Sequence, residues 1–338
     1  MWKKSGRTCV KAERISETNR QSHIFNTLKR RENIEIDVKT LKYILSAALA
    51  LTMTVAATAK IVRAPQEKGT HRVLTCNIRI TGLSEDENTP GQWENRKEVC
   101  RDVILSQKPD IICMQEVIYE SYAYMKKELK GYTSFGFTGP EMDPYTEGYH
   151  YIGKNVIFFR TSRYEMTGSG CYWLSEDPLI GGSLSWNTTR ARHCNWLRLR
   201  DKKTGEEFRI MDIHLDHKTE LARQEQTKLT IRETSQYAED FPQILCGDFN
   251  SGPKKAAAGF LREAGWKDAY ETLGIPERNS FQGFKGENYK KPKPRIDFIF
   301  MRGAVQPVYC KMLTDTVNGI LPSDHYFIVA DLKIGNND

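Results

Sequence analysis

Several sequence signatures are missing from this 338-residue chain, and each absence excludes or disfavours a class of protein. None of the eight cysteines forms a CxxC pair, which disfavours a zinc ribbon or a thioredoxin-type redox site. No repeat of fixed period and no low-complexity stretch lies within residues 70–338, so a solenoid is not expected. Hydrophobic residues are not scarce, at 39%, and aromatic residues make up 10%. This supply of core-forming side chains excludes a disordered or collagen-like chain.

The body of the chain lacks a net charge. The formal charge of the whole sequence is +7, but residues 1–42 alone hold 11 basic and 5 acidic residues. Residues 60–338 hold 39 basic and 38 acidic residues. Proteins that bind polyanions usually present a clustered basic face, and this body lacks the bulk charge for one. A local groove could still be basic, so nucleic acid is a disfavoured partner and not an excluded one.

One long apolar run precedes the body. Residues 43–59 read YILSAALALTMTVAATA, follow two lysines and end on three small residues. Basic residues, an apolar run and then small residues form the order of a cleaved signal peptide. The run is short and weakly hydrophobic for a membrane span, so an uncleaved anchor and a buried helix are the less favoured alternatives. We therefore expect an exported protein, periplasmic or secreted, with no stable membrane span after cleavage. The polar, basic leader at 1–42 is unusual ahead of a signal peptide and suggests an over-called translation start.

The cysteines of the body read as free thiols. Cys76, Cys113 and Cys246 lie inside apolar runs, where cysteine acts as a small hydrophobic residue. Removing the leader takes Cys9 and leaves seven cysteines, an odd number. A full disulfide framework is therefore not expected even in an oxidising compartment, although one bridge stays open.

Short β-rich runs and amphipathic helical segments alternate along residues 70–335, and no linker divides them, so one domain is predicted. Several strands follow one another without helices, which favours a mixed sheet or two packed sheets over a strictly alternating parallel fold. The stretch Gly136–Gly153, rich in Gly, Pro and Tyr, is predicted to form surface loops. We predict strands at 72–77, 110–115, 155–160, 196–200, 208–214, 243–248, 296–301, 308–312 and 327–332, and helices at 93–107, 119–129, 221–237 and 254–263.

Polar residues cluster where these apolar runs begin or end. They are Asn77, Glu116, His214, Asp248, Asn250, Asp324 and His325. Strand ends in a layered α/β protein are places where side chains converge on a shared cleft. Carboxylate and carbonyl oxygens suit Mg²⁺, Mn²⁺ or Ca²⁺. The set therefore suggests a hard cation and a phosphorylated ligand.

Six motifs in a fixed order carry a resemblance to a known superfamily. They are Asn77, Gln115-Glu116, His214, Gly247-Asp248-Phe249-Asn250, Arg295-Ile296-Asp297 and Ser323-Asp324-His325. In this order they resemble the endonuclease/exonuclease/phosphatase superfamily, which includes deoxyribonuclease I-like nucleases, inositol polyphosphate 5-phosphatases and neutral sphingomyelinases. The resemblance covers about 70–335. It implies the deoxyribonuclease I-like α/β fold, a four-layer sandwich of two packed mixed sheets flanked by helices.

The resemblance also implies roles around a metal ion and a water molecule. Glu116 would be the principal metal carboxylate, with Asn77 and Asp324 sharing in metal binding. Asp248 would orient and deprotonate the attacking water. Asn250 beside it would hold that water or a phosphate oxygen. Phosphoryl transfer needs in-line water and charge neutralisation more than covalent chemistry, which is consistent with these roles.

The remaining site residues would act on the phosphate itself. By the same resemblance, His325 would stabilise the developing charge, and Asp297 would fix the tautomer and orientation of its imidazole. His214 would donate to a non-bridging phosphate oxygen. Arg192 is a candidate phosphate clamp, because a guanidinium fork matches phosphate oxygens.

Within the superfamily the sequence looks most like a branch of exported bacterial proteins, through segments at 172–176, 191–196 and 211–217. Two departures matter. Asp212 stands where that branch usually has Asn, and Ala191 stands where Pro precedes the arginine. A carboxylate two residues from His214 could alter the pKa of that histidine or the local metal preference.

The resulting prediction is an exported, monomeric, divalent-metal-dependent phosphoesterase. It would use Mg²⁺ or Mn²⁺ to hydrolyse a phosphate mono- or diester, with a phosphorylated small molecule favoured over nucleic acid. A secreted nuclease is the alternative within the same class. A catalytically silent binding module on the same fold is the second alternative. It would be expected to have lost site residues, and none is missing from this sequence.

Overall fold

The structure is a computed structural model, and it describes residues 61, 63–140, 142–147, 150–291 and 294–335. The predicted leader and the apolar segment at 43–59 lie outside the described residues. None of the helices in the described ranges has the length and apolar character that a membrane crossing needs.

Twelve strands and five α-helices make up the described part of the chain. The strands are β1 (His71–Asn77), β2 (Ile111–Val117), β3 (Tyr132–Phe135), β4 (Lys154–Arg160), β5 (Tyr164–Trp173), β6 (His193–Asp201), β7 (Glu207–His214), β8 (Gln243–Asp248), β9 (Lys267–Asp268), β10 (Asp297–Arg302), β11 (Val305–Leu313) and β12 (Phe327–Ile334). The helices are α1 (Trp93–Ser106), α2 (Tyr119–Glu128), α3 (Glu220–Thr234), α4 (Ala256–Glu263) and α5 (Ala269–Thr272). Short 3₁₀ turns lie at Ser84–Asp86, Asp143–Tyr145 and Gly286–Asn288.

The strands form two six-stranded sheets. The first has the order β11-β12-β1-β2-β4-β3, and the second has the order β5-β6-β7-β8-β10-β9. The pairs β1–β2 and β7–β8 are parallel, and the other pairs are antiparallel. Both sheets are therefore mixed, as predicted from strands that follow one another with and without intervening helices.

Side-chain alternation along the strands divides the interior into layers. Val73 of β1 belongs to the core between the two sheets, together with Leu197 and Ile244 of the second sheet. Its neighbour Leu74 belongs to the layer that α1 and α2 cover, because successive side chains point to opposite faces of a strand. Leu229 of α3 and residues of α4 cover the outer face of the second sheet. The structure confirms the predicted four-layer sandwich.

Three strands of the sheets were not predicted from the sequence: β3, β5 and the two-residue β9. The edge strand β3 is four residues long, and the edge strand β5 has an irregular burial pattern and two glycines. Gly170 of β5 lies against the indole of Trp196, and a Cβ there would come within 2.7 Å of the ring. Glycine weakens a strand pattern in the sequence, but here it makes room for the neighbouring side chain.

The cysteine prediction is confirmed for the described residues. Cys76, Cys113 and Cys246 are buried free thiols, as predicted. Cys76 faces the α1/α2 layer, whereas the other two lie between the sheets. They contribute to the packed interior as small apolar groups.

Candidate active site

Strand register brings the predicted site residues to one end of the sandwich. In the first sheet, parallel β1 and β2 pair Asn77 with Gln115. In the second sheet, parallel β7 and β8 pair His214 with Asp248, and antiparallel β10 pairs Asp297 with the same Asp248. The two sheets therefore present their polar strand ends on the same side of the molecule.

One amide joins the two sheets at this end. The Asn77 Nδ2 donates hydrogen bonds of 3.0 Å to Glu116 Oε1 and of 3.0 Å to Asp248 Oδ2. Glu116 belongs to the first sheet and Asp248 to the second. The residues predicted as the metal carboxylate and as the base, 132 positions apart in the sequence, thus share one hydrogen-bond donor.

Glu116 has an unusual backbone that points its carboxylate into the site. Its φ is 64°, and the pairing of β2 with β4 shifts register between Met114 and Val117. Such bulges re-aim side chains next to active sites. Burial by itself would raise the pKa of Glu116, but hydrogen bonds from Asn77 and from the Ile80 N–H, the latter 2.8 Å long, lower it. Glu116 is therefore ionised at neutral pH and fit to bind a cation.

Asp248 is buried at the end of β8, where the chain passes close to β7. A Cβ on the preceding Gly247 would lie 1.9 Å from the carbonyl oxygen of Ile213, so only glycine fits there. The Asn250 N–H donates to Asp248 Oδ1 over 2.8 Å. Burial, followed by the charge of Asp297, raises the pKa of Asp248 to about 7. A carboxyl group with this pKa can exchange a proton near neutral pH.

His325 and Asp297 form a buried pair beside Asp248. The His325 Nδ1 lies 2.9 Å from Asp297 Oδ2, and its Nε2 lies 3.7 Å from Asp248 Oδ2. Burial would lower the pKa of His325, but the charges of Asp297 and Asp248 outweigh it and raise the pKa to about 10. His325 is therefore an imidazolium at neutral pH whose Nδ1–H donates to Asp297. The arrangement fits the orienting role predicted for Asp297.

His214 is buried and neutral. Its Nε2 accepts a hydrogen bond of 2.9 Å from Asn250 Nδ2 and lies 3.4 Å from Asp248 Oδ2. Burial, followed by the charge of Arg192, lowers the pKa of His214 well below its usual value. An ionised Asp212 would raise this pKa instead, so the expected influence of that carboxylate on His214 is not seen.

Asp212 is engaged elsewhere, between the two sheets. The Gln115 Nε2 donates to its Oδ1 over 2.6 Å. Burial raises the pKa of Asp212 well above its usual value, which favours the protonated, uncharged form of the carboxyl group. The Gln115 Oε1 and the Asp212 Oδ2 are both buried without another partner among the described residues. A protonated Asp212 supplies one donor where an ionised one would leave two acceptors unsatisfied.

Asp324 approaches the site from the turn before β12. The Ser323 hydroxyl donates to the Asn77 carbonyl over 2.7 Å and lies 3.2 Å from Asp324 Oδ1, which ties this turn to β1. Burial raises the pKa of Asp324. Its Oδ2 lies 3.5 Å from Arg79 Nη1.

Arg79 is a site residue that the sequence reasoning missed. Its φ is 61°, and its guanidinium also pairs with Asp86 at 3.0 Å and with Glu85 at 2.6 Å. The signal that could have found it is its position two residues after Asn77, directly beyond a strand that ends in the site. It lies between the predicted metal carboxylates and an acidic surface turn.

Arg192 is buried next to these groups, with 5% of its surface exposed. Its Nη2 lies 3.5 Å from His217 Nδ1, and its Nε has no partner among the described residues. After burial, which lowers the pKa of Arg192, the main influences on it are the charges of Glu116 and Asp248. A buried guanidinium with unused donors beside two carboxylates fits the predicted phosphate clamp.

The donor set suits a hard cation. Within the described ranges, Asp248, Asp297 and His325 offer ligand atoms that all lie within 4.8 Å of one another. These differ from the predicted ligands Asn77, Glu116 and Asp324, although the Asn77 amide bonds both Glu116 and Asp248. The cluster consists of two carboxylates and an imidazole, with no thiolate, which favours a hard or borderline divalent cation over softer metals.

Comparison with known proteins agrees with this fold and site. Residues 74–325 match the model of the Endonuclease/Exonuclease/phosphatase family, and the chain belongs to that family, whose members are hydrolases acting on phosphoester bonds. An endonuclease/exonuclease/phosphatase structure from Bacteroides vulgatus is 29% identical, with a TM-score of 0.71, and the match covers 79% of this chain and 100% of that one. A mannosyl-6-phosphatase structure from Bacteroides thetaiotaomicron is 27% identical, with a TM-score of 0.68, over 78% of this chain and 99% of that one.

Two curated relatives are similar over part of their length. Nocturnin from Drosophila melanogaster is 29% identical over 206 residues, which are 57% of this chain and 31% of that protein. Tyrosyl-DNA phosphodiesterase 2 from Rattus norvegicus is 25% identical over 255 residues, which are 71% of this chain and 62% of that protein. This chain therefore spans less than two thirds of either relative. The narrower likeness to an exported bacterial branch stays a prediction.

Proposed function

We propose that this chain is an exported, monomeric phosphatase that depends on a divalent metal and hydrolyses a phosphate ester of a small molecule. One observation carries the proposal. Asn77 bonds the carboxylates of Glu116 and Asp248 across the two sheets, and the imidazolium of His325 lies 3.7 Å from the second of them. An anion-binding cation, a general base and a metal carboxylate thus meet in one place, as phosphoester hydrolysis requires.

Asp248 is the group that activates water in this proposal. Its pKa of about 7 allows it to take a proton from the attacking water at neutral pH. The Asn77 amide and the Asn250 N–H hold its two oxygens, so the carboxylate is oriented before the substrate arrives. Pre-organisation of this kind lowers the reorganisation needed at the transition state.

The phosphate is held by three nitrogen-bearing side chains. The His325 imidazolium stabilises charge on the phosphate oxygens, and Asp297 fixes the ring through Nδ1. The neutral His214 and the buried Arg192 provide further contacts to non-bridging oxygens. The Nδ1 of His214 is buried without a partner among the described residues, so the ring contacts the site through Nε2, which lies 3.4 Å from Asp248 Oδ2.

Glu116, Asn77 and Asp324 would hold the metal, Mg²⁺ or Mn²⁺. The fit rests on the ionised state of Glu116 and on the carboxylate oxygens of Glu116 and Asp324, because Asn77 Oδ1 already accepts from the Arg79 N–H over 2.9 Å. When bound, the ion neutralises phosphate charge and positions the ester for in-line attack. Asp324 joins the set through the Ser323 hydroxyl that links it to β1.

Two observations favour a small phosphorylated substrate. The body of the chain carries 39 basic and 38 acidic residues, which gives no bulk attraction for a polyanion. The mannosyl-6-phosphatase structure is 27% identical with a TM-score of 0.68, whereas the D. rerio TDP2 structure with single-strand DNA is 20% identical with a TM-score of 0.62, each over 78% of this chain and 99% of that one. The match to tyrosyl-DNA phosphodiesterase 2 is nevertheless the reason to keep a nuclease as the runner-up.

The test is a hydrolysis screen with the purified protein. Sugar phosphates, a diester and supercoiled plasmid are incubated with Mg²⁺, with Mn²⁺ and with EDTA, and Asp248→Asn serves as the inactive control. We expect metal-dependent phosphate release from at least one sugar phosphate. Plasmid nicking without sugar phosphate hydrolysis would establish the nuclease instead. No turnover of any ester with metal present would favour the silent binding module.

A further inference from the structure

A cavity adjoins the candidate active site on the side of the second sheet. It has a volume of about 230 Å³ and opens between the start of α3 and the start of α4. Its lining includes Asn250, which also bonds His214 in the site, and His217, which contacts Arg192. A substrate bound at Asn250 can therefore extend into this cavity without leaving the catalytic groups.

The cavity is lined by cations that have no acidic partner. Arg223 donates to the Asp216 carbonyl over 3.0 Å, but no carboxylate lies within 4.0 Å of it among the described residues. Lys255 is exposed and forms no ion pair in the same ranges. Elsewhere in the described chain, Arg72, Arg163 and Arg295 each pair with a carboxylate within 3 Å.

Further groups around the cavity also favour an anion. The buried Arg192 has an Nε without a partner among the described residues, and its Nη2 contacts His217, which lines the cavity. No side chain caps α4, which begins directly after Lys255, so its first turn adds positive potential at this wall. Glu220 is the one carboxylate in the lining, and it is exposed. Ser251, also in the lining, has a hydroxyl that can donate to an oxyanion.

We propose that this cavity is a second anion subsite and that the substrate is a small molecule carrying two phosphate groups. One phosphate enters the site at Asp248 and His325, and the other is bound by Arg223 and Lys255. The inference rests on the proposed function for the first phosphate, and the second phosphate is what the cavity adds. A guanidinium and an ammonium at one anion form charge-assisted hydrogen bonds, which are the stronger class.

Binding can be measured without turnover. Calorimetric titrations of the full chain in EDTA compare glucose 6-phosphate with glucose 1,6-bisphosphate, and adenosine 5′-monophosphate with adenosine 3′,5′-bisphosphate. We expect the bisphosphate of at least one pair to bind about tenfold more tightly, because one charge-assisted contact contributes roughly 1.5 kcal/mol. The pair that shows the gain tells whether a sugar or a nucleoside carries the phosphates.

Matched variants assign the gain to the cavity. In Lys255→Met and in Arg223→Met, the bisphosphate affinity should fall toward that of the monophosphate, which itself should change less than twofold. Glu220→Gln should instead strengthen bisphosphate binding two- to threefold, because it removes the one negative charge of the lining. Lys254→Met is the control, since this neighbouring lysine is exposed and lies outside the cavity lining.

Several outcomes would overturn the subsite. One is that neither bisphosphate binds more tightly than its monophosphate. Another is that none of the four ligands binds at millimolar concentration. The third is that Lys254→Met and Lys255→Met lose equal bisphosphate affinity. The two proposals fail separately. If the protein hydrolyses no ester when metal is supplied but binds a bisphosphate through Lys255, the proposed subsite is supported and the proposed phosphatase function is wrong. If it hydrolyses a monophosphate and the variants show no discrimination, only the subsite falls.

Discussion

The two ends of the sandwich differ in how their most buried carboxylates are paired, although Asp324 at the site end lies 3.5 Å from Arg79. At the end away from the site, the buried Asp331 accepts two hydrogen bonds of 2.6 Å from the buried Arg72. At the site end, neither Glu116 nor Asp248 has a lysine or arginine nitrogen within 4.0 Å among the described residues. Their hydrogen-bond partners are an asparagine amide and backbone N–H groups.

The difference shows which buried carboxylates are paired with a basic side chain. A buried carboxylate is costly unless it is paired, and a guanidinium neutralises it most completely. Far from the site this pairing is present, and Asp110 receives Arg163 at 2.7 Å in the same way. At the site no guanidinium or ammonium group pairs with Glu116 or Asp248 within 4.0 Å among the described residues, and burial together with the charge of Asp297 raises the pKa of Asp248.

The largest predicted effect is the loss of activity on replacing Asp248, the proposed general base. Asp248→Asn should lower kcat by about 10²- to 10⁴-fold, the usual contribution of a positioned general base. The free energy of unfolding should not fall, because a neutral amide replaces a carboxyl group that burial already disfavours in its charged form. Steady-state kinetics and urea unfolding measure both. Retained activity would remove Asp248 from the mechanism.

Breaking a pair at the other end should affect stability alone. Arg72→Met leaves Asp331 buried without its partner and should cost about 3–5 kcal/mol of unfolding free energy. The specific activity of the folded fraction should be unchanged. Arg200→Met is the matched control, because its exposed pair with Glu207 is screened by solvent and should contribute little to stability. Similar losses in both variants would contradict the contrast drawn between the two ends.

Replacing Asp212 between the sheets should increase the free energy of unfolding, whereas replacing Arg72 should lower it. The pKa of Asp212 is raised in the folded state, so its contribution to stability is complete below the unfolded pKa and is lost as pH rises. Asp212→Asn removes this pH-dependent loss of stability, because an amide does not ionise. The variant should therefore gain stability over the native protein as pH rises above about 4, with a slope of up to about 1.4 kcal/mol per pH unit. Urea unfolding from pH 4 to 8 measures it, and a difference that shrinks with rising pH would show that Asp212 is ionised.

The smallest effect is a shift in pH dependence. Activity should rise through pH 7 as Asp248 loses its proton and should fall near pH 10 as His325 loses its own. Asp297 raises both pKa values, so Asp297→Asn should move both limbs to lower pH, with an activity loss of a few-fold at pH 7. Rate profiles from pH 5 to 11 with the metal held saturating measure this. If both limbs of the pH–rate profile stay at the same pH, Asp297 does not set the pKa of His325.

The strand ends of the site could be predicted because apolar runs mark the strands and polar residues mark their ends. Asn77 and Asp248 follow this pattern, and the order of motifs along the chain identified the family. Contacts across the gap between the sheets could not be predicted in the same way. The Gln115–Asp212 pair and the position of Arg79 depend on how two sheets pack and on a left-handed backbone, and neither leaves a periodic signal in the sequence. The strand β5 was missed because its glycines hide the alternation.

The Ser323 hydroxyl bonds the Asn77 carbonyl across 246 positions of sequence, and β12 lies beside β1 in the first sheet. This part of the candidate site is therefore assembled from β1 and β12, the first and the last strands of the described residues to be synthesised. Pairing so non-local is slow to form, since the chain entropy of closing so large a loop must be overcome first. During refolding, catalytic competence should return with the last and slowest phase, after the helices have already formed.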